Sequence, residues 1–354
     1  MKKNLLISTG GSGGHVIPAL ILYEHLLNER NIILSTDKRG LEYFNISKYQ
    51  FEIINTPKLN NILLLPFNLI IILFLIIKSF FLMRQRKIEE VISTGGYMSL
   101  PVIFAAKLLN LKIYLIEPNL VLGRANRFLL NMSKKIFCYT NQIKNFPEKL
   151  KHRKIIINPL VRKHVYNFKS IYSNNNKFTL LIVGGSQGAK IFDKDLKNLV
   201  VNFSKRIQLK VIQQTSEKNI SSLSQFYLKN DIENKIFCFD ENLSNSIQSA
   251  DLCITRAGAS TLAELSVINT PFIAIPLPTS KDNHQLENAK FYEKNGCCWI
   301  VEQDNLCKKI EDIFNNLLLE RDDYLNKKEN LKKLNYQNTW LSVNQKILKI
   351  LNEN

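Results

Sequence analysis

The sequence predicts an α/β protein of two domains, each a parallel sheet covered by helices, and three observations lead there. Short apolar runs pass into glycine-rich turns and then into helical stretches, repeatedly, which is the strand–turn–helix succession of parallel sheets. The succession restarts at Thr179-Leu180-Leu181-Ile182-Val183, a β-branched and leucine run of the kind that a sheet buries on both faces. With 354 residues, the chain also has room for two domains of about 100–200 residues each.

Taken in order, Leu5-Leu6-Ile7-Ser8 reads as a short buried strand. Its few apolar residues fall short of the region of about 7–15 that a signal peptide needs, and no cleavage site follows. The strand runs into Thr9-Gly10-Gly11-Ser12-Gly13-Gly14-His15, and a helix follows over 18–27. Residues 91–93 form a strand leading to Thr94-Gly95-Gly96-Tyr97-Met98-Ser99 and a helix over 101–109. Residues 112–116 form another, ending at Glu117-Pro118-Asn119. The polar, asparagine-rich residues 166–177 are a linker. Beyond it, 179–183 ends in Gly184-Gly185-Ser186-Gln187-Gly188-Ala189, and further strands lie at 209–213, 235–239, 252–255 and 272–275. The last segment, 339–351, is a helix with apolar residues at Leu341, Ile347, Leu348 and Leu351, suited to pack on either domain.

Residues 62–77 stand apart, almost wholly apolar and broken only by Pro66 and Asn68. The uninterrupted run after Asn68 covers only 69–77, against the about 20 residues that a membrane-spanning helix needs. Lys78, Arg84, Arg86 and Lys87 follow it. Three readings stand: a helix buried in the first domain, a helix that dips into one leaflet beside its basic residues, and, least favoured by the short run, a true span; the expectation is a peripheral rather than an integral protein.

Composition narrows the classes. Hydrophobic residues at 45% and charged residues at 22% exclude disorder, collagen and coiled coil for the chain as a whole. Six cysteines without a C-x-x-C pair exclude a disulfide scaffold and a thiolate zinc site, and point to a reduced, cytosolic setting. Lys and Arg outnumber Asp and Glu by 48 to 30, a net charge of +18. Such an excess suits nucleic acid or an anionic membrane face. Lys, Asn and Ile are abundant everywhere, however, so a compositional bias accounts for the charge equally well. Aromatics are not interleaved with Lys and Arg as in RNA-recognition modules, so nucleic acid is not an expected partner.

Glycines between a strand and a helix let backbone N–H groups approach a phosphate at the positive end of the helix. Two familiar phosphate patterns fail here. G-x-G-x-x-G read from Gly11 would end on Val16, and the Walker pattern read from Gly184 meets Ala189 where a glycine is required. A fourth stretch, Arg256-Ala257-Gly258-Ala259-Ser260-Thr261-Leu262-Ala263-Glu264, offers Ser260 or Thr261 as the cap of a helix whose first turn carries an acid, Glu264. Asp193-Lys194-Asp195 resembles a metal-binding acid pair but falls inside a helical stretch, where it reads as solvent-exposed; no metal site is expected.

In order from Gly10 to about Ala289, the three glycine loops, Glu117-Pro118-Asn119, Asn158-Pro159-Leu160-Val161-Arg162, the 256–264 stretch and Asp282-Asn283-His284-Gln285 resemble the MurG family. These UDP-N-acetylglucosamine transferases complete the lipid-linked precursor of peptidoglycan. Each motif alone is weak; their ordered co-occurrence is specific. The resemblance implies two Rossmann-like domains facing a cleft, the GT-B type of glycosyltransferase, with neither metal nor cofactor. It assigns 1–160 to the polyprenyl-diphosphate-linked muramyl peptide and the membrane, and 161–337 to UDP-GlcNAc. Residues 338–354 become a helix that packs back on the first domain. It also implies a peripheral place on the cytoplasmic face of the cell membrane, against an anionic surface.

Carried onto matching positions, Ser12, Gly13 and Gly14 would line the cleft near the donor and Asn119 would contact its sugar. Arg162 and Ser186 would lie on the nucleotide and diphosphate side. Ala259, Ser260, Thr261, Leu262 and Ala263 would cradle the diphosphate at a helix N-terminus, Glu264 would accept from the ribose hydroxyls, and Gln285 would hold the sugar. Gly95, Gly96 and Tyr97 would meet the acceptor diphosphate. Three departures are visible: Asp240 where an apolar residue often reads the uracil, leaving that contact to the backbone; Pro118 for a common glutamine; and Ser12 for threonine, which keeps the hydroxyl.

The implied chemistry is an inverting attack of the acceptor's sugar 4-hydroxyl on the anomeric carbon as UDP leaves. A base that titrates near neutrality is useful, and His15 is the only histidine in a glycine loop. Helix dipoles and Arg162 would stabilise the departing diphosphate. Three other classes compete. A related two-domain glycosyltransferase acting on another lipid is disfavoured by Gly95-Gly96-Tyr97 with Asn119. A non-catalytic membrane scaffold is disfavoured by the intact His15, Glu264 and Gln285. A nucleotide-sugar epimerase would need an acid pair that the sequence does not display.

Overall fold

A computed structural model describes residues 2–43, 47–57, 62–167, 177–185, 190–240 and 242–353. The chain divides into two compact units, Met1–Leu160 with Thr339–Asn354, and Val161–Asn338. In the first, β1 (Lys3–Ser8), β2 (Arg30–Thr36), β3 (Phe51–Ile53), β4 (Glu90–Ser93), β5 (Lys112–Glu117), β6 (Lys135–Cys138) and β7 (Lys154–Ile156) form one sheet, ordered β3-β2-β1-β4-β5-β6-β7. Every pairing is parallel. Its helices include α1 (Gly13–Leu26), α2 (Leu65–Gln85), α3 (Leu100–Leu108) and α4 (Arg124–Leu129). Side chains alternate across a strand. Leu5 and Ile7 accordingly join Tyr114, Ile116 and Phe137 in one core against α1, while Leu6 joins Val91, Ile113, Leu115 and Ile136 in another against α2 and α3. Burial on both faces explains why these strands read as apolar runs without alternation.

The second unit repeats the plan. Its strands β8 (Phe178–Val183), β9 (Leu209–Gln214), β10 (Glu233–Phe237), β11 (Leu252–Thr255), β12 (Phe272–Ala274) and β13 (Cys298–Ile300) are ordered β10-β9-β8-β11-β12-β13, again all parallel. Its helices are α5 (Lys197–Ser204), α6 (Ile220–Leu228), α7 (Leu243–Ser249), α8 (Ala259–Ile268), α9 (His284–Lys294), α10 (Leu306–Leu319) and α11 (Asp322–Asn335), among the described residues. Leu180 and Ile182 face α5 and α10; Leu181 and Val183 face α8 and α9. The strand expected over 235–239 lies two residues earlier, and the helix expected from Pro18 begins at Gly13, with Pro18 inside it.

The C-terminal helix α12 (Trp340–Asn352) returns to the first unit and begins at a capping box made by Thr339 and Ser342. Val343, Ile347, Ile350 and Leu351 enter the core of α1, and the Trp340 ring stacks on His25 with centroids 3.5 Å apart. Leu341, expected on the packed face, is exposed because it falls off the stripe that Val343 begins.

The apolar segment is a helix buried along one face only. Pro66 sits in the first turn of α2, where a missing N–H costs nothing, so the helix runs for 21 residues, about 31 Å. Asn68, Ile72, Leu75, Ser79 and Met83 are buried, whereas Phe67, Ile70, Phe74, Ile77 and Phe81 form a second stripe that is 48% to 66% exposed. Burial of the whole segment in the core is therefore excluded. The helix is long and apolar enough to cross a membrane. It nevertheless connects β3 to β4, strands of one sheet, so both of its ends return to the same body.

Candidate active site

In the first sheet β1 has β2 on one side and β4 on the other. At such a switch of direction, the loops at the C-terminal strand ends diverge and leave a crevice. Those loops are 9–12, with Ser12 as the residue before α1, and 94–99. Gly95 and Gly96 have φ of 90° and 84°, and a Cβ on Gly96 would fall 2.3 Å from Met98 Sδ, so both positions need glycine. A Cβ on Gly95 would stand 3.4 Å from His15 Cε1, which places the imidazole directly against the second loop.

His15 lies in the first turn of α1, with the buried Gly13 and exposed Gly14 before it. Its Nδ1 is 2.8 Å from the Thr94 carbonyl. A carbonyl only accepts, so Nδ1 carries the proton in the neutral ring and Nε2 keeps its lone pair. Thr94 is itself tied to the first loop by its hydroxyl, which donates to Thr9 Oγ1 at 2.9 Å. The two glycine loops are thus joined around one imidazole with a defined tautomer.

Glu117, at the end of β5, is buried and accepts four hydrogen bonds: Asn119 N–H at 3.1 Å, Asn119 Nδ2 at 3.0 Å, Gly123 N–H at 2.8 Å and Asn126 Nδ2 at 3.0 Å. Hydrogen bonds to a charged group are worth about 1.5–3 kcal/mol each, so this carboxylate holds Asn119 and the turn after it. Tyr97 is half-buried, and its hydroxyl accepts from Arg39 Nη2 at 2.5 Å.

The second sheet has its own switch, with β9 and β11 on either side of β8. After β8, Gly185 N–H donates to Gln214 Oε1 at 3.1 Å; Ser186 lies outside the described residues. After β11 comes α8, whose N-cap is Gly258 and which no side chain caps. The expected cap by Ser260 or Thr261 is therefore corrected: both sit inside the first turn, and Glu264 lies in the second. Leu262 and Ala263 are buried in the core, and Leu262 N–H donates to the Gly258 carbonyl. The end of α8 open to an anion narrows to Ala259, Ser260 and Thr261.

Glu264 is 3% exposed and accepts from Arg162 Nη1 at 2.8 Å. Burial pushes its carboxyl above the usual range, and the Arg162 guanidinium pulls it back. A buried carboxylate with one cationic partner has capacity for further donors. Gln285, at the start of α9, accepts from Leu277 N–H at 3.0 Å, and Asn288 of the same helix donates to the Ala257 carbonyl at 3.1 Å. Asp240 accepts from Asn242 N–H at 2.8 Å and from Lys235 at 3.3 Å, beside the exposed ring of Phe239.

One acidic residue differs from its sequence reading. Asp193 is not solvent-exposed: half-buried, it accepts from Gln213 Nε2 at 3.0 Å, Thr215 Oγ1 at 2.6 Å and Asn219 Nδ2 at 3.1 Å, three donors rather than a metal's partners. Arg256 is buried, donating to the Ile275 and Pro276 carbonyls at 3.2 and 3.3 Å and to Gln303 at 2.9 Å, so it fastens β11 to the end of β12. Asp37, Arg39 and Asn126 were not singled out by sequence. For Asp37 the available signal was a charged residue immediately after β2, a strand that neighbours β1.

Residues 5–138 match the N-terminal domain of glycosyltransferase family 28, and residues 179–339 match its C-terminal domain. A transferase of Pelagibacter ubique is 47% identical over the whole of both chains; its name is UDP-N-acetylglucosamine--N-acetylmuramyl-(pentapeptide) pyrophosphoryl-undecaprenol N-acetylglucosamine transferase. A protein of the same name from Rickettsia canadensis is 34% identical, over 91% of this chain and 93% of its own. Among solved structures, Acinetobacter baumannii MurG superposes with a TM-score of 0.77 at 24% identity, covering 98% of this chain and 99% of its own, a likeness of fold.

Proposed function

The chain belongs to glycosyltransferase family 28, and from that premise we propose that it transfers N-acetylglucosamine from UDP-N-acetylglucosamine to the muramyl-pentapeptide carried on pyrophosphoryl-undecaprenol, a step of peptidoglycan synthesis. The observation that carries the reading is the tautomer of His15: Nδ1 is committed to the Thr94 carbonyl, leaving Nε2 to take a proton. In the reaction the acceptor's 4-hydroxyl oxygen bonds to the anomeric carbon, the bond from that carbon to UDP breaks, and the hydroxyl proton passes to Nε2. One displacement inverts the anomeric centre. The N-terminus of α8 and Arg162 bear the charge that grows on the departing diphosphate. Gly95, Gly96 and Tyr97 meet the acceptor diphosphate, while Asn119 and Gln285 hold the donor sugar.

The direct test mixes labelled UDP-GlcNAc with the lipid-linked muramyl peptide and follows a disaccharide lipid, with and without EDTA. Transfer unchanged by EDTA is expected. Collapse on chelation and recovery with magnesium would remove the metal-free mechanism, and transfer only to a different lipid would favour the related glycosyltransferase.

Donor binding rests on Glu264. Ribose hydroxyls donating to its carboxylate contribute about 1.5–3 kcal/mol, so Glu264→Gln is expected to weaken UDP binding by about 10- to 150-fold in calorimetry. Unchanged affinity with a lower melting temperature would instead leave Glu264 as a structural partner of Arg162.

The exposed stripe of α2, with Arg84, Arg86 and Lys87 exposed at its end, supports peripheral attachment to an anionic membrane, on the cytoplasmic face where the acceptor's lipid is anchored.

A further inference from the structure

Resting on the acceptor reading above, we propose that a pocket beside Tyr97 binds an anionic group of the acceptor, a phosphate or a carboxylate, and that Arg39 and Lys38 hold it. The pocket has a volume of about 220 Å³ and is lined by Asp37, Lys38, Arg39, Asn55, Thr56 and Tyr97. Asp37, buried at the end of β2, is fully engaged. Its Oδ1 accepts Gly11 N–H at 2.7 Å and Gly40 N–H at 3.0 Å, and its Oδ2 accepts Arg39 Nε at 2.9 Å and Nη2 at 2.6 Å. Arg39 Nη2 also donates to Tyr97, and the guanidinium carbon stands 5.4 Å from the centroid of that ring.

These bonds set the plane of the guanidinium yet use only Nε and Nη2. Among the described residues nothing accepts from Nη1, so its two hydrogens remain for a ligand. The Arg39 side chain is 41% exposed, and Lys38 beside it is exposed. Two cations against one carboxylate leave the pocket positive, and a planar fork is suited to the oxygens of phosphate or carboxylate. The place fits the acceptor rather than the donor. Asp37 holds the first glycine loop at Gly11, Arg39 holds the second at Tyr97, and an acceptor whose hydroxyl reaches His15 must lie along those loops. That acceptor is anionic on both sides of its sugar, at the diphosphate and at the peptide carboxylates.

The test is steady-state kinetics of the full chain with two lipid-linked acceptors, one bearing the pentapeptide and one with the peptide removed and the lactyl carboxyl capped as an amide. Arg39→Gln is expected to raise the acceptor KM by about tenfold or more, with the donor KM within about twofold and partial recovery in Arg39→Lys. A rise with both acceptors assigns the anion to the diphosphate; a rise with the pentapeptide acceptor alone assigns it to the peptide. An unchanged acceptor KM, or a fall in kcat with KM unchanged, overturns the proposal and leaves Arg39 as a strut between Asp37 and Tyr97. If Arg39→Gln does not fold, Lys38→Gln is read the same way, because its side chain is exposed. A wild-type chain that transfers to neither acceptor overturns the acceptor reading itself.

Discussion

Replacing His15 with Ala is expected to lower kcat by about 10²–10⁴-fold, the usual contribution of a positioned base, while UDP affinity stays within about twofold. The expectation follows from division of labour between the units. His15 and its Thr94 partner lie in the first, whereas Arg162, Glu264 and the N-terminus of α8 lie in the second. His15→Gln sharpens the test, since an amide donor can keep the bond to the Thr94 carbonyl but cannot take the hydroxyl proton. A base is therefore lost equally in both variants. If Gln restores activity, or if both variants lose melting temperature with kcat nearly intact, His15 is a tie between the glycine loops and the chemistry lies elsewhere.

The second large effect concerns the membrane. Substituting Ile70 and Phe74 with Glu is expected to release the protein from anionic vesicles in co-sedimentation, with UDP binding unaffected. Each side chain is more than half exposed, so neither change opens the core. Burying one such side chain in lipid contributes about 1.5–3 kcal/mol, so losing two weakens partitioning by about 10²-fold or more. Arg84, Arg86 and Lys87 add about 1 kcal/mol each near an anionic surface, which high salt removes. Attachment that survives both high salt and carbonate, or that is indifferent to the two Glu residues, would reject a peripheral α2. A crossing helix is already opposed by the sheet, because β3 and β4 at the two ends of α2 belong to one hydrogen-bonded body.

The glycine loops and the β8 strand were legible because their signals are local. A phosphate-approaching turn needs residues without a Cβ, and a strand buried on both faces needs an unbroken apolar run. Short strands such as β3, β7 and β13, of three residues each, carry too few residues for such a signal. The start of α1 was misplaced for a related reason. Pro18 resembles a first-turn proline, yet the chain enters the helix at Gly13 and carries Pro18 within it. The Ser260 or Thr261 cap failed likewise, because Gly258 caps α8 in an extended conformation that local composition does not favour over a hydroxyl.

By itself, then, the sequence determined the two α/β units, the order of their glycine loops, and the residue types available for proton transfer and diphosphate binding. Only the tertiary structure decided how those residues are used. His15 owes its tautomer to a carbonyl 79 positions away, and Glu264 finds its cationic partner in an arginine 102 positions away. Asp37 reaches across 26 residues to hold Gly11. On α2, both faces are apolar, so no periodicity distinguishes the stripe packed on α3 from the one left exposed. Periodicity and composition report what one segment prefers. Hydrogen bonds and packing between remote segments arise only when the sheet order brings strand ends together.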